Sequence, residues 1–580
     1  MLIAYLADEA TMGAGGTDLN GDTDVIDSIA VVVNSSSRVE TNLGVAALEL
    51  EWVGNDLFLV VNESLDGRNW DADMALTSNV LLHWTEGMML PQLVATVAAS
   101  GLPRIVGVST RLYYHNATTP VGPFQSNLFF VDELAPTVPV AVTTQDAVAE
   151  LTVQILGAEE GLLYCTLDET VEGRDLNIDA DMADTSVLAL LDATDVTSML
   201  RSVGLAVPVG TPFRARSTGA NDWLIAFLAD EAAQGATNFN DPVLFAASWK
   251  PVQCVGDEDA DAADNVLHYL NFAAWDVNPG LNPPVNTGLV GDERIVVLPG
   301  TAGFVGTLSL ESDEGTCDLN GDGDTTDSIF RYVQASTPTL PPGALANMHA
   351  VTNMVPGGTF GVVELDTAFV VLIDEAADGQ DHDGDPGNDF DLLAWVEPSA
   401  ANLDVAYRFN HAASGAPVFF GATWMDDLLG RERMVAAISE DVGGDFNGDL
   451  DVLDSVPTFP DFVPGPRLNF SGATIAVDPI NAGALLVEGV TYFRVLEAAD
   501  LRDWNLDGDI ADTVLIRLFE STGSPEFVAV LNNLPRLAVD FAPDETAPSV
   551  GVFVADEAMA GLDFNDDGDM ADLTLRYFSH

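Results

Sequence analysis

Apolar residues run in short unbroken blocks along this chain, and most blocks lead into or out of a cluster of acids. The blocks LIAYLADEA (2–10), LIAFLADEA (224–232), FVVLIDEA (369–376) and GVFVADEA (551–558) each end in an acidic pair. A second apolar block follows the acids, as in IAVVV (29–33). Short apolar runs without alternation predict strands buried on both faces. One unit therefore reads strand, acidic turn, strand.

The unit recurs. Its turn and second strand read DLNGDTDVIDSIAVVV at 18–33, DLNIDADMADTSVLALL at 175–191 and DLNGDGDTTDSIFRYV at 318–333. Further copies are DFNGDLDVLDSVPTF at 445–459, DWNLDGDIADTVLIRLF at 503–519 and DFNDDGDMADLTLRYF at 563–578. The copy at 255–270 lacks its first aspartate, and the copy at 381–396 carries a small insertion. A weak copy lies at 69–84, and a degenerate hairpin without acids is expected near 104–133. Two further apolar runs separate successive units, giving a period of about 60 residues and four strands. The spacing after residue 224 predicts an insert at about 236–255.

The expected fold is all-β: a β-propeller-like array of about ten four-stranded repeats, since radially stacked blades bury both faces of each sheet. Tandem immunoglobulin-like sandwiches are the alternative, with longer units. Residues 1–580 form one large ring or two smaller ones with a break near 205–220. Arg331, Arg576 and His268 share a strand position, and Arg517 falls one place later. They are expected on a solvated rim.

Each acidic turn places oxygen donors at positions 1, 3, 5, 7 and 10. The candidate ligands are Asp18, Asn20, Asp22, Asp24 and Asp27; Asp175, Asn177, Asp179, Asp181 and Asp184; and Asp257, Asp259, Asp261 and Asp264. The middle copies supply Asp318, Asn320, Asp322, Asp324 and Asp327, with Asp381, Asp383, Asp385 and Asp389. The last three supply Asp445, Asn447, Asp449, Asp451 and Asp454; Asp503, Asn505, Asp507, Asp509 and Asp512; and Asp563, Asn565, Asp567, Asp569 and Asp572. Glu9, Glu169, Glu314, Glu375 and Glu557, which follow the first strands, are expected to reach the same ion.

Alternating oxygens in a tight turn wrap a hard cation, and Ca²⁺ tolerates such irregular geometry better than Mg²⁺. Asp, Asn and Gly also favour plain turns, but a plain turn does not require acids at alternate positions in seven copies. His and Cys are missing from most loops, which argues against transition metals. About eight calcium sites are expected. The weak loops at 69–84 and 236–242 are expected to bind nothing.

The D-x-[DN]-x-D-G spacing resembles calcium loops of EF-hand and dockerin sequences. It is more similar to the aspartate-rich hairpins of FG-GAP/VCBS-type β-propeller repeats, as in integrin-like heads. The last aspartate falls at position 10, later than in the integrin-type loop. The resemblance implies a propeller with calcium in its hairpins.

Composition narrows the partners. Ninety-one acidic residues face 20 basic ones, a net charge of −71. Such self-repulsion opposes a compact state unless counter-ions relieve it. There is no basic stripe for nucleic acid or an anionic membrane. Hydrophobic residues make up 47% of the chain, enough for a core rather than a disordered acidic tail. No apolar run is long enough to predict a membrane-spanning helix. The chain starts inside its own repeat, so a leader is expected upstream. Cys165, Cys254 and Cys317 read as buried thiols, with a Cys254–Cys317 bridge as the alternative.

No nucleophile elbow, zinc-helix or phosphate-loop motif is present. The sequence therefore predicts a protein that is not an enzyme: an extracellular, calcium-stabilised structural protein of the cell surface or matrix. Its partners would be calcium and further copies of itself, paired strand to strand into a filament. A calcium-dependent adhesin that binds surface glycans is one alternative, and a propeller hydrolase is another.

Overall fold

A computed structural model describes residues 2–11, 16–34, 37–97, 105–117, 125–144, 153–208, 210, 213–219, 222–235, 237–240, 262–291, 294–299, 303–314 and 318–335. It also describes 345–350, 354–355, 359–365, 368–379, 391–396, 398, 406–413, 420–422, 434–439, 445, 447–450, 454–460, 468–469, 475–477, 484–487, 490–519, 524–531, 540–541, 550–560, 562, 564, 570 and 573–579.

The chain is all-β. Acidic turns between the ends of the array join the two central strands of an antiparallel sheet, while the first and last turns join an edge strand, Leu2–Asp8 or Leu573–Ser579, to its neighbour. Leu162–Leu167 pairs with Val187–Asp192, and Phe304–Leu310 pairs with Ser328–Gln334. In the last complete example Val490–Leu496 pairs with Thr513–Phe519. One further strand on each side completes a four-stranded sheet, such as Phe213–Gly219, Asp222–Asp230, Asn265–Asn271 and Val285–Val290 in that order. Seven sheets of this kind are present among the described residues.

Continuous apolar runs make these central strands because both faces are covered. Strand side chains alternate between faces. In Asp222–Asp230, Trp223, Ile225 and Phe227 pack with Leu188 and Leu190 of the preceding sheet. Leu224, Ala226 and Leu228 pack with Ile295, Val297 and Val305 of the following one. Each sheet is thus a wall between two cores.

The long strand Val39–Val53 serves two sheets. Its first half pairs with Ser28–Asn34 and its second half with Asp56–Asn62, which fuses the first sheets into one of six strands. The degenerate hairpin expected near 104–133 exists as Arg111–His115 paired with Gln125–Asp132.

First strands of successive sheets converge. Arg214, on Phe213–Gly219, reaches Glu159 at 2.9 Å and also pairs with Glu364. Glu364 in turn accepts the Val297 N–H at 2.7 Å. Residues from the first strands of four successive four-stranded sheets (154–159, 213–219, 295–298 and 362–364) therefore meet in one polar cluster.

The solvated rim is corrected in part. His268 and Arg331 are buried, each 2% exposed. Burial lowers the His268 pKa to about 4, so it is a neutral core residue. Arg576 is exposed, its guanidinium 4.4 Å from the Phe564 ring centre, and Arg517 pairs with Glu526 at 2.8 Å. Cys165 is a fully buried free thiol, and burial raises its pKa. Cys254 and Cys317 lie outside the described residues.

Candidate metal centre

The site starts with a glutamate at the end of the first central strand. Its N–H donates to the carbonyl of loop position 10, which closes the hairpin: Glu9 to Asp27 (3.0 Å), Glu169 to Asp184 (2.8 Å), Glu311 to Asp327 (2.9 Å) and Glu497 to Asp512 (3.0 Å). All four glutamates are fully buried. One carboxylate oxygen accepts the N–H of positions 2 and 3. Glu9 takes Leu19 (2.5 Å) and Asn20 (3.2 Å), and Glu497 takes Trp504 (2.5 Å) and Asn505 (3.2 Å). Glu169 holds Leu176 and Asn177, and Glu311 holds Leu319 and Asn320, in the same way.

The loop then curls back on itself. The position 1 aspartate accepts the N–H of positions 4 and 6, as Asp318 does from Gly321 (2.5 Å) and Gly323 (3.0 Å). Asp18, Asp175 and Asp445 do the same. Positions 4 and 6 are left-handed in every such loop, with φ of 84° and 108° at Gly321 and Gly323. Glycine adopts that conformation freely. The 175–184 loop has Ile178 at φ 65° instead, with its side chain 87% exposed. A β-branched residue is strained there. Ile178→Gly is expected to stabilise the protein by about 1 kcal/mol, read as a higher urea midpoint with an unchanged slope.

This curl gathers carboxylates. Oxygens of Glu9, Asp24 and Asp27 lie within 4.8 Å of one another, as do those of Glu169, Asp181 and Asp184, of Glu311, Asp324 and Asp327, and of Asp507, Asp509 and Asp512. The Asn at position 3 donates its amide to the position 10 carboxylate, at 2.7 Å for Asn177–Asp184 and 2.6 Å for Asn505–Asp512. Asn447–Asp454 repeats this at 3.1 Å. Asp22, Asp179 and Asp322 at position 5 accept the N–H of position 7.

Crowding shows in the acidities. Burial, with the charges of Asp24 and Asp22, raises Asp27 to about 6. Burial likewise raises Asp184, Asp327 and Asp512 to about 6 and Glu311 to about 7. Each group is held where ionisation is costly.

The donor set fits a hard cation. It is all oxygen, and one oxygen is left over in each of three loops: Glu9 Oε2, Glu169 Oε2 and Glu497 Oε2 are buried and have no hydrogen-bond partner. Asn177 Oδ1 is also buried without a partner. In two other loops the same oxygen accepts the position 10 N–H: Glu231 Oε2 from Asp264 at 3.2 Å and Glu311 Oε2 from Asp327 at 3.4 Å.

The strand-end glutamate of the 318–327 loop is corrected from Glu314 to Glu311. The strand ends at Leu310, and Glu311 opens the short 3₁₀ turn Glu311–Glu314. Glu497, Glu63 and Glu231 fill the same role and were not among the sequence candidates. The position of the insert is corrected too. Glu231 holds the N–H of Phe239 and Asn240, and Asn240 donates to Asp264 at 3.1 Å. The loop therefore begins before the insert rather than after it. Asp257, Asp259 and Asp261 lie outside the described residues, as do Asp381, Asp383, Asp385, Asp389, Asp451, Asp563, Asn565, Asp567, Asp569 and Asp572. Glu375 opens a short helix, and Glu557 is buried and accepts the Phe564 N–H at 2.6 Å.

The loops also touch the next unit. Asn177 donates to the Ala233 carbonyl at 2.8 Å, and Arg68 donates to the Asn20 carbonyl at 3.1 Å.

No protein-family profile and no curated protein matches this chain. Among solved structures it is similar to a GH74 enzyme from Niastella koreensis at 11% identity, covering 95% of this chain and 73% of that one, with a TM-score of 0.24. It is similar to a Mycobacterium tuberculosis puromycin-hydrolysing peptidase at 10% identity, covering 88% of this chain and 57% of that one, with a TM-score of 0.27. A PL25 ulvan lyase matches at 12% identity, with coverages of 83% and 92% and a TM-score of 0.28. Likenesses at these scores carry no argument about residues or reaction. The expectation of a protein that is not an enzyme is corrected: these three solved structures are enzymes, and that exclusion is withdrawn.

Proposed function

We propose that this chain is a calcium-stabilised, propeller-like repeat protein that works outside the cell. Its ions would sit in aspartate-rich hairpins similar to those of FG-GAP/VCBS-type repeats. The carrying observation is the buried, partnerless glutamate oxygen found with a group of aspartates in the loops of Glu9 and Glu169. A divalent cation supplies the missing partner and the opposite charge. Extracellular calcium-binding modules have Kd values of about 10⁻⁴–10⁻³ M, which suits a setting of millimolar calcium. Convergence of four first strands on the Arg214–Glu364 cluster supports the radial arrangement.

Elemental analysis of protein equilibrated with calcium tests this reading. Several calcium atoms per chain are expected, and Glu169→Gln is expected to lose about one of them. A calcium content near zero would sink the reading.

A propeller hydrolase is the second reading; a puromycin-hydrolysing peptidase is among the solved structures similar to this chain. A panel of glycoside and peptide substrates tests it. No feature of the described residues carries the filament, and it is not part of the proposal.

A further inference from the structure

The loop between strands Asp56–Asn62 and Asn79–Thr85 has the weakest sequence of the acidic turns. It has Asn69, Ala75 and Ser78 at positions 1, 7 and 10, and only Asp71 and Asp73 as acids. We infer that this loop nonetheless holds a divalent cation, between Glu63, Asp71 and Asp73. The inference rests on the cation reading of the complete loops and extends it to a site that the sequence pattern rejects.

Glu63 carries the argument. It follows the strand, is fully buried, and donates its N–H to the Ser78 carbonyl at 3.0 Å. Its Oε1 accepts the N–H of Trp70 (2.5 Å) and Asp71 (3.2 Å). Its Oε2 is buried and has no hydrogen-bond partner. Oxygens of Glu63, Asp71 and Asp73 lie within 4.8 Å of one another.

The one nearby cation does not fill the gap. Arg68 donates to the Asn20 carbonyl and lies 5.8 Å from the Trp70 ring centre. Among the described residues Glu63 forms no ion pair. A plain turn would not need a buried carboxylate at this place, since one accepting oxygen is enough to hold the two N–H groups.

Three carboxylates and no nitrogen or sulfur donor select a hard cation of the Ca²⁺ type. Loss of the acids at positions 1, 7 and 10 lowers the charge, so this site binds more weakly than the complete loops.

Trp70 makes the site separately readable. It occupies loop position 2, and its indole donates to Asp66 at 2.6 Å. Trp504 occupies the same position in the 503–512 loop and donates to Asp500 at 2.6 Å. Tb³⁺ stands in for Ca²⁺ and emits when a nearby indole is excited. The full-length chain, titrated with Tb³⁺, should lose part of this emission in Trp70→Phe. Glu63→Gln should lose the same part, and the two losses should not add. Equilibrium dialysis should show about one Ca²⁺ fewer per chain in Glu63→Gln.

Glutamine keeps the carbonyl that accepts from Trp70 and Asp71, so the turn retains its anchor. Should Glu63→Gln fail to fold, Asp73→Asn at an exposed position must give the same lower calcium count. If Trp504→Phe dims the emission while Trp70→Phe and Glu63→Gln change neither emission nor calcium count, this site is refuted and the complete loops stand. If the wild-type chain binds neither ion, both readings fail.

Discussion

Excess EDTA is expected to lower the melting temperature of the calcium-equilibrated protein by on the order of 10 °C. An ion that binds only the folded state stabilises it by about 1.4 kcal/mol at the tenfold excess that millimolar calcium gives a site with a Kd of about 10⁻⁴ M. Two loops melting in one cooperative block therefore contribute about 3 kcal/mol, and each kcal/mol moves the midpoint of a block of 150–250 residues by about 2–4 °C. The structure gives a reason for the size of the effect. Glu9, Glu169 and Glu497 each anchor two loop N–H groups with one oxygen and bury the other beside aspartates. Without the ion, that charge has to be tolerated inside the fold. Differential scanning calorimetry with and without chelator decides the matter, and coincident melts would reject the role given to calcium.

The second large effect is a reversal of pH dependence. In the ion-free protein Asp27, Asp184, Asp327 and Asp512 have pKa values raised to about 6, and Glu311 to about 7. The unfolded chain titrates these groups near 4. Between about pH 4 and pH 7 the folded state therefore binds more protons than the unfolded one. Stability falls as pH rises through that window. With calcium the sign reverses, because protons compete with the ion for the same oxygens and acid releases it. Urea midpoints at about pH 5 and pH 8 are expected to fall with pH in EDTA and to rise with pH in millimolar calcium. Asp327→Asn removes part of the EDTA slope. A midpoint in EDTA that climbs with pH would contradict the raised acidities.

The strands were legible because being walled in on both faces leaves an unambiguous mark, the unbroken apolar run. The loops were legible because their turn chemistry repeats. The glutamate was harder. Asp175 lies six positions after Glu169, Asp318 seven after Glu311, and Asp18 nine after Glu9. The connecting turn varies in length, so the Asp-Glu pair nearest the loop points to Glu314. Strand register identifies it, because the glutamate is always the residue whose N–H meets the position 10 carbonyl.

Burial of His268 and Arg331 was hidden for another reason. A polar residue inside an apolar run looks like an outward face, and only the neighbouring sheet shows that it is covered. His83, one place later in its strand, is also buried, with Nε2 2.7 Å from Asp56. The 236–240 segment was misplaced because a long insert separates Asn240 from Asp264, and only folding brings them together.

The contacts of Asn177 with Ala233 and of Arg68 with Asn20 mean that these loops rest against the unit that follows. A mineral atom seated in one of them would act as a rivet between neighbours as well as a pin through its own hairpin. The resistance of the array to being pulled apart would then be set by the hardness of the surrounding water: stiff where calcium is plentiful, yielding where it is scarce.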